Sequence, residues 1–221
     1  MWWRVYKNSK EDILNGELNY SLLSIFSEKL RVGIIGAGVG GFIKAKHFYN
    51  QGCYIEVLTK ECNSSFDKLC GKNMNIIKKE YYESFLDDKH LIIIAVDDSK
   101  IAKKIKDDCE KRYKIYINST SFIDGMGSVP VQKDLDNIVV GINTRGGNPK
   151  GSMMLGNIVA SELEKYDNFI GFTTIVRNKV KNIPEIKKSV IGFIATEDFL
   201  FFYNKGKGKE VLSMFFDKEG T

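Results

Sequence analysis

Short apolar segments alternate with longer, charged segments over roughly the first 120 residues of the chain. The apolar segments have the length of buried strands, and the charged ones carry apolar residues at helical spacing. Strands are predicted at 32–35, 53–58, 74–78, 90–96 and 114–117, and helices at 42–51 and 99–112. Strands that alternate with helices form parallel sheets, so the pattern predicts an α/β domain with a Rossmann-like parallel sheet. The segment HLIIIAV is the most hydrophobic strand and is expected to be covered on both faces.

The alternation stops after residue 121. Two strand-like segments, 128–133 and 137–143, have no helix between them, and a helix is predicted at 152–165. Further on, aromatic and aliphatic residues predict short packed helices, separated by Pro184 and by the glycines of NKGKGK. We therefore divide the chain into an N-terminal extension (1–19), a Rossmann domain (20–121), a small second module (122–165) and a helical C-terminal domain (166–221). The Rossmann domain opens with YSLLSIF, a predicted strand or extended lead-in.

A cluster of glycines follows the first predicted strand. Gly36, Gly38 and Gly41 have the G-x-G-x-x-G spacing that opens a dinucleotide-binding βαβ unit. In that unit the first glycine allows a sharp turn, the second leaves room for a pyrophosphate, and the third lets the helix pack closely on the sheet. The free backbone N–H groups at the start of the helix then face the anion. Because a strand, a helix and a second strand surround these glycines in the required order, the sequence predicts nucleotide binding.

The candidate cofactor-binding residues lie where the predicted strands end. They are Gly36, Gly38, Val39, Gly40 and Gly41 after the first strand, Thr59 and Lys60 after the second, Val96 and Asp97 after the fourth, and Asn118 after the fifth. In an open α/β sheet these ends meet at one edge, so the segments are expected to converge on one crevice. The predicted ligand is NAD, with NADP possible. The preference between the two stays open, because Leu58, Thr59 and Lys60 stand where an acidic residue usually accepts the ribose hydroxyls.

Composition and charge exclude several other classes of protein. With 43% hydrophobic and 28% charged residues and no apolar run of membrane-span length, the chain is expected to be soluble and cytoplasmic, without a secretory signal. The net charge of +5 favours an anionic ligand without requiring nucleic acid. The four cysteines show neither C-x-x-C spacing nor histidine companions, so neither a metal site nor a disulfide framework is predicted.

Taken together, these segments resemble the precorrin-2 dehydrogenase and sirohydrochlorin ferrochelatase family, the dehydrogenase module of siroheme synthases. The resemblance covers about residues 20–218 and rests on YSLLSI before KLRVGIIGAG, on FIKAKHFYNQG, LIIIAVDD, INST and INTRGGNP, and on the tail with VRNKVKN and NKGKGKEV. It implies an NAD-dependent oxidation of precorrin-2 to sirohydrochlorin, with an anionic tetrapyrrole as substrate. It also implies a homodimer built partly by the second module, without nucleic acid or membrane as a partner.

The candidate catalytic residues are Ser121, Asp124 and Thr144. Family members usually carry an aspartate at the position of Ser121, and a serine hydroxyl stays protonated near neutral pH unless another group activates it. Asp124 is an alternative acid, although IDGMG is also typical of a turn. Thr144 matches the family's hydroxyl-bearing position. Metal insertion is not expected, because His47 and His90 are predicted away from the crevice. The alternative hypothesis is a catalytically impaired dimer that binds nucleotide or tetrapyrrole.

Overall fold

A computed structural model describes residues 19–69 and 71–216, except for the side chains of residues 215 and 216. Apart from Asn19, the predicted N-terminal extension lies outside the described residues. The strands are β1 (Arg31–Ile35), β2 (Tyr54–Thr59), β3 (Met74–Lys78), β4 (Leu91–Ile94), β5 (Ile115–Asn118), β6 (Val131–Asp134) and β7 (Val139–Ile142). The helices are α1 (Val39–Asn50), α2 (Ser99–Lys111), α3 (Pro149–Val180), α4 (Pro184–Ile194), α5 (Glu197–Asn204) and α6 (Gly208–Phe216).

The described residues form two compact units. The first extends to Val129 and includes Arg145–Gly147, and the second holds Pro130–Thr144 and the residues from Asn148 onward. The predicted division at residues 121 and 165 differs from these bounds, and the four-part division stays a prediction.

The first unit is built on a five-stranded sheet in the order β3-β2-β1-β4-β5. All four strand pairs are parallel. Alternate residues of the central strands face opposite sides of the sheet. On one side Val32 and Ile34 pack with Ala45 of α1, and on the other Ile94 packs with Ile105 of α2. The predicted Rossmann-like parallel sheet is therefore confirmed, with all four residues of β4 buried as expected.

The lead-in and the first helix differ from the prediction. Residues 19–26 form no strand, so the strand alternative for YSLLSIF is wrong, and a short 3₁₀ turn (Ser27–Lys29) precedes β1. Leu22, Leu23 and Phe26 are exposed in this segment. Helix α1 starts at Val39, three residues before the predicted start, because Gly38 already has the extended conformation of an N-cap.

The second unit pairs an antiparallel hairpin, β6–β7, with a 32-residue helix, α3. The predicted helix end at residue 165 is wrong. Helix α3 begins after Asn148, whose side chain accepts a hydrogen bond from the Gly151 N–H. It continues past residue 165 because no proline interrupts it there, and it ends shortly before Pro184. A Cβ at Gly156 would lie 3.3 Å from Val131 Cγ1, so this glycine lets β6 approach the helix closely.

Aromatic side chains form the core between α3 and the helices that follow it. Phe199 is fully buried, and its ring lies 6.0 Å from Phe169 and 5.2 Å from Phe193 between centroids. Phe201 remains 58% exposed on the opposite face of the same helix. Among residues 19–69 and 71–216, no helix combines the length and apolar character needed to cross a membrane.

Candidate nucleotide-binding site

A crevice of about 1290 Å³ opens at the carboxyl edge of the parallel sheet in the first unit. Residues at or just after the ends of all five strands contribute to the lining, as expected at the carboxyl edge of a parallel sheet. The predicted residues that line it are Gly36, Gly38, Val39, Gly40, Thr59, Lys60, Val96 and Asp97. The segments singled out from the sequence therefore meet in one place, and their role in binding a cofactor stays a prediction.

The glycines of the turn after β1 differ in the space around them. Gly36 has φ +103°, and a Cβ there would lie 2.2 Å from the Ala95 carbonyl oxygen. A Cβ at Gly41 would lie 2.2 Å from the Gly36 carbonyl oxygen. In contrast, a Cβ at Gly38 would meet no protein atom within 4 Å. Gly36 and Gly41 thus make the turn possible, and Gly38 leaves the crevice open.

This geometry fits the pyrophosphate of a dinucleotide. Gly38 is the N-cap of α1 and lines the crevice. A Cβ at this position would occupy open space beside the helix N-terminus. The first N–H groups of a helix have no partner within the helix, and the helix dipole favours an anion there. A phosphate beside Gly38 and Val39 would meet both conditions. Gly40 lies on the side of α1 that faces β5, because a Cβ there would lie 3.9 Å from Ser119 Cβ.

An ion pair stands beside the end of β2. Thr59 is buried, and its hydroxyl donates a 2.5 Å hydrogen bond to the Glu61 carbonyl oxygen. Lys60 Nζ lies 2.9 Å from Glu80 Oε1. The hydrogen bond between these two groups raises the pKa of Lys60 and lowers the pKa of Glu80. Both side chains are largely exposed, so the pair contributes little to stability.

The ends of β4 and β5 are organised by side-chain caps. Asp98 accepts hydrogen bonds from the Lys100 and Ile101 N–H groups and so caps α2. At the end of β5, the buried Asn118 side chain accepts hydrogen bonds from the Thr120 N–H, the Thr120 hydroxyl and the Ser121 N–H. Asn118 therefore shapes the turn, while Ser119 and Thr120 line the crevice in its place.

The three candidate catalytic residues have different surroundings. Ser121 follows the Asn118 turn, and its carbonyl oxygen accepts from the Asp124 N–H. The Asp124 carboxylate is 57% exposed and lies 3.9 Å from Lys106 Nζ. Thr144 belongs to the second unit, where its hydroxyl oxygen accepts from the Asn148 N–H at the start of α3. The structure thus places Ser121 and Asp124 in one short loop, and their catalytic roles stay predictions.

Residues after β3 also line the crevice, and the sequence reasoning missed them. Lys79, Glu80 and Tyr81 follow β3, and Lys104 reaches the crevice from α2. Thr59 pairs in register with Lys78, so the residues after β3 lie beside those after β2. Parallel pairing of the two strands was therefore the signal that could have found them. Burial and the hydrogen bond to Asp108 hold the pKa of Tyr81 well above its usual value, so its phenol stays protonated near neutral pH.

The histidines lie away from the crevice, and the described residues contain no cluster of three or more metal-ligating side chains. His90 precedes β4, at the opposite end of the sheet, and its Nδ1 accepts from the Arg31 N–H. His47 lies in the last turn of α1 and contacts the Phe48 ring. Of the described cysteines, Cys53, Cys62 and Cys109 are free thiols.

Comparison with known proteins supports both the fold and the ligand. Residues 23–125 match the family model described as "Putative NAD(P)-binding". The chain is 25% identical over 175 residues to the "Putative precorrin-2 dehydrogenase" of Methanocaldococcus jannaschii, covering 74% of this chain and 79% of that protein. It is 27% identical over 172 residues to the siroheme synthase of Blochmanniella floridana, covering 74% of this chain and 36% of that protein. The chain thus spans about a third of the siroheme synthase.

A solved structure shares the fold. The structure of SirC, precorrin-2 dehydrogenase, has a TM-score of 0.67 at 19% identity, covering 89% of this chain and 98% of the SirC chain. The predicted NAD(P)-binding domain and the resemblance to the precorrin-2 dehydrogenase family are confirmed by these findings.

Proposed function

We propose that this chain is an NAD-dependent dehydrogenase that oxidises precorrin-2 to sirohydrochlorin. The observation that carries the proposal is the turn between Gly36 and Gly41, whose middle glycine leaves the crevice open beside the N-terminus of α1. The names of the similar proteins supply the substrate. A tetrapyrrole with many carboxylates is strongly anionic, and the net charge of +5 favours its approach.

The bound nicotinamide nucleotide would supply the hydride acceptor for the oxidation. The chain would hold its pyrophosphate at Gly38 and Val39 and its adenosine ribose near the end of β2. Ser119 and Thr120, the latter held by the Asn118 side chain, would face the opposite part of the crevice. The protein's remaining task is to position the macrocycle and to accept the proton that the oxidation releases.

We retain Ser121, Asp124 and Thr144 as the candidates for that task. Asp124 has the only carboxylate among the three, and its exposure allows it to exchange a proton with water. The hydroxyls of Ser121 and Thr144 would orient the substrate by hydrogen bonds. Asp124→Asn should therefore lower kcat about 100-fold if Asp124 is the general base. Ser121→Ala and Thr144→Val should raise KM more than they lower kcat.

The activity test is an incubation of the purified protein with precorrin-2 and either NAD⁺ or NADP⁺, with formation of reduced nicotinamide as the signal. An active relative, assayed in parallel, confirms that the substrate is intact. Turnover with NAD⁺ supports the proposal. No turnover with either nucleotide, under conditions in which the relative works, overturns it.

A second candidate function is ligand binding without catalysis, favoured by the serine at position 121. This version predicts that nucleotide binds and that precorrin-2 is not oxidised. Ser121→Asp should then restore turnover, because it supplies the carboxylate that family members usually carry at this position. A wild-type protein that is already as fast as this variant would remove the reason for the second candidate.

We propose further that the chain lacks ferrochelatase activity. Support comes from the placement of His90 at the opposite end of the sheet from the crevice. Incubation with sirohydrochlorin and ferrous iron, followed by the absorption spectrum of the macrocycle, tests this. Iron insertion faster than in a protein-free control would contradict it.

We also propose a homodimer that uses the second unit. The first half of α3 exposes apolar side chains on consecutive turns, with Met154 and Ile158 each 58% exposed, and β7 adds Val139 at 65%. Ile158→Asp should shift the protein to a monomer in size-exclusion chromatography with light scattering. Ile175 is equally exposed on the last third of the same helix, so Ile175→Asp is the matched control and should remain dimeric. A monomeric wild-type protein would contradict the proposal.

A further inference from the structure

The end of β2 lacks the acidic residue that usually reads the ribose of NAD. The strand ends at Thr59, whose hydroxyl is directed to the Glu61 carbonyl oxygen and whose side chain is buried. Lys60 follows it. A lysine at this place, taken alone, favours a 2′-phosphate and hence NADP. The question is whether another residue places a carboxylate at the same point of the crevice.

Glu80 does so from the neighbouring strand. Thr59 and Lys78 are register partners in the parallel pair β2–β3, so Glu80 emerges two residues beyond the point that pairs with the end of β2. Its carboxylate oxygen lies 2.9 Å from Lys60 Nζ. The Glu80 carboxylate is therefore held by the residue that follows β2, and both residues line the crevice.

We infer that Glu80 is the residue that binds the ribose hydroxyls, held in place by Lys60, and that this pair selects NAD over NADP. The inference rests on the proposed nucleotide site. An ionised carboxylate accepts hydrogen bonds from the 2′- and 3′-hydroxyls and repels a 2′-phosphate. Lys60 acts as a positioning residue, because its ammonium group lies 2.9 Å from Glu80 Oε1 and attracts the carboxylate.

Glu61 provides a matched control. It is a carboxylate that lines the same crevice two residues after the strand end, but it makes no ion pair with Lys60. Glu80→Gln and Glu61→Gln remove the same charge from the same part of the crevice. Both side chains are exposed, so neither change should affect folding, and thermal unfolding of each variant checks this.

The experiment is the titration of each protein with NAD⁺ and with NADP⁺ by isothermal titration calorimetry. The wild type should bind NAD⁺ about tenfold more tightly than NADP⁺, a difference of ~1.4 kcal/mol. In Glu80→Gln, NAD⁺ should bind about tenfold more weakly and the preference should fall to about one. Glu61→Gln should retain the wild-type preference within about twofold. Lys60→Gln should weaken NAD⁺ binding severalfold, because it releases Glu80.

Three results would overturn the inference. The first is a wild type that prefers NADP⁺ and loses this preference in Lys60→Gln, because Lys60 would then be a phosphate anchor. The second is an effect of Glu61→Gln equal to that of Glu80→Gln. The third is a wild type that binds neither nucleotide, which would also remove the nucleotide part of the proposed function. If the expected binding pattern is found without any oxidation of precorrin-2, the inference stands and the proposed activity fails.

Discussion

Gly38 is the position at which nucleotide binding and protein stability should separate most cleanly. A Cβ at Gly38 meets no protein atom within 4 Å, and the backbone there has φ −72° and ψ −170°, which alanine adopts without strain. Gly38→Ala should therefore change the free energy of unfolding by at most about 1 kcal/mol, because the change at an N-cap is offset by a less flexible unfolded chain. The shift in Tm should stay within about 4 °C.

The same methyl group occupies the space beside the first N–H groups of α1, where the pyrophosphate is proposed to bind. Loss of one or two hydrogen bonds to a charged group costs about 1.5–3 kcal/mol, so the Kd for NAD⁺ should rise roughly 10- to 100-fold. Gly36→Ala should behave differently. Its Cβ would lie 2.2 Å from the Ala95 carbonyl oxygen at a φ of +103°, so it should destabilise the protein by about 2–4 kcal/mol and weaken binding as a secondary effect.

The assay combines calorimetric titration with NAD⁺ and thermal unfolding followed by circular dichroism. Gly192→Ala is the control, because Gly192 is exposed in α4 and a Cβ there also meets nothing within 4 Å. That variant should gain roughly 0.5–1 kcal/mol of stability and keep the wild-type Kd. The reasoning is refuted if Gly38→Ala binds NAD⁺ as tightly as the wild type, since the crevice beside Gly38 would then not hold the pyrophosphate.

Two further predictions concern the packing of each unit. Asp167 is buried in α3 and accepts hydrogen bonds from the Asn137 N–H at 2.9 Å and from Asn137 Nδ2 at 3.0 Å, so Asp167→Ala should cost about 3 kcal/mol in urea unfolding. A loss below about 1 kcal/mol would show that this link does not hold the hairpin to the helix. Burial raises the pKa of the Cys109 thiol to about 12, so at pH 8 iodoacetamide should alkylate Cys109 only after unfolding, as mass spectrometry of tryptic peptides would show. Modification of Cys109 in the native protein at the rate of the partly exposed Cys62 would contradict this assignment.

The sheet could be predicted because each strand is marked by a short apolar run in the sequence. The run LIII is apolar at every position, which suits a strand with both faces covered, and charged helices separate it from its neighbours in sequence. The carboxyl ends of parallel strands must then share one edge of the sheet. For this reason Gly36, Thr59 and Val96 could be assigned to one crevice before any coordinates were known.

Pairings between side chains distant in sequence could not be predicted in the same way. The contact of Lys60 with Glu80 depends on the register of β2 against β3, which no local pattern specifies. The length of α3 was missed for a related reason. Gly171 lies in the missed part of the helix and is a weak helix former by itself, but in the folded unit its missing side chain leaves room for Asn137, since a Cβ there would lie 2.7 Å from Asn137 Oδ1.

The geometry of the glycine turn bears on the choice between an enzyme and a binding protein that has lost its chemistry. Gly36 and Gly41 are required by the turn itself, because a Cβ at either would lie 2.2 Å from a carbonyl oxygen. Gly38 has no such structural requirement, so the protein would fold equally well with a side chain there. A chain that no longer bound nucleotide could replace it at a cost of at most about 1 kcal/mol. The presence of glycine at position 38 therefore argues that nucleotide binding is still a working property, and it leaves the serine at 121 as the only specific argument against catalysis.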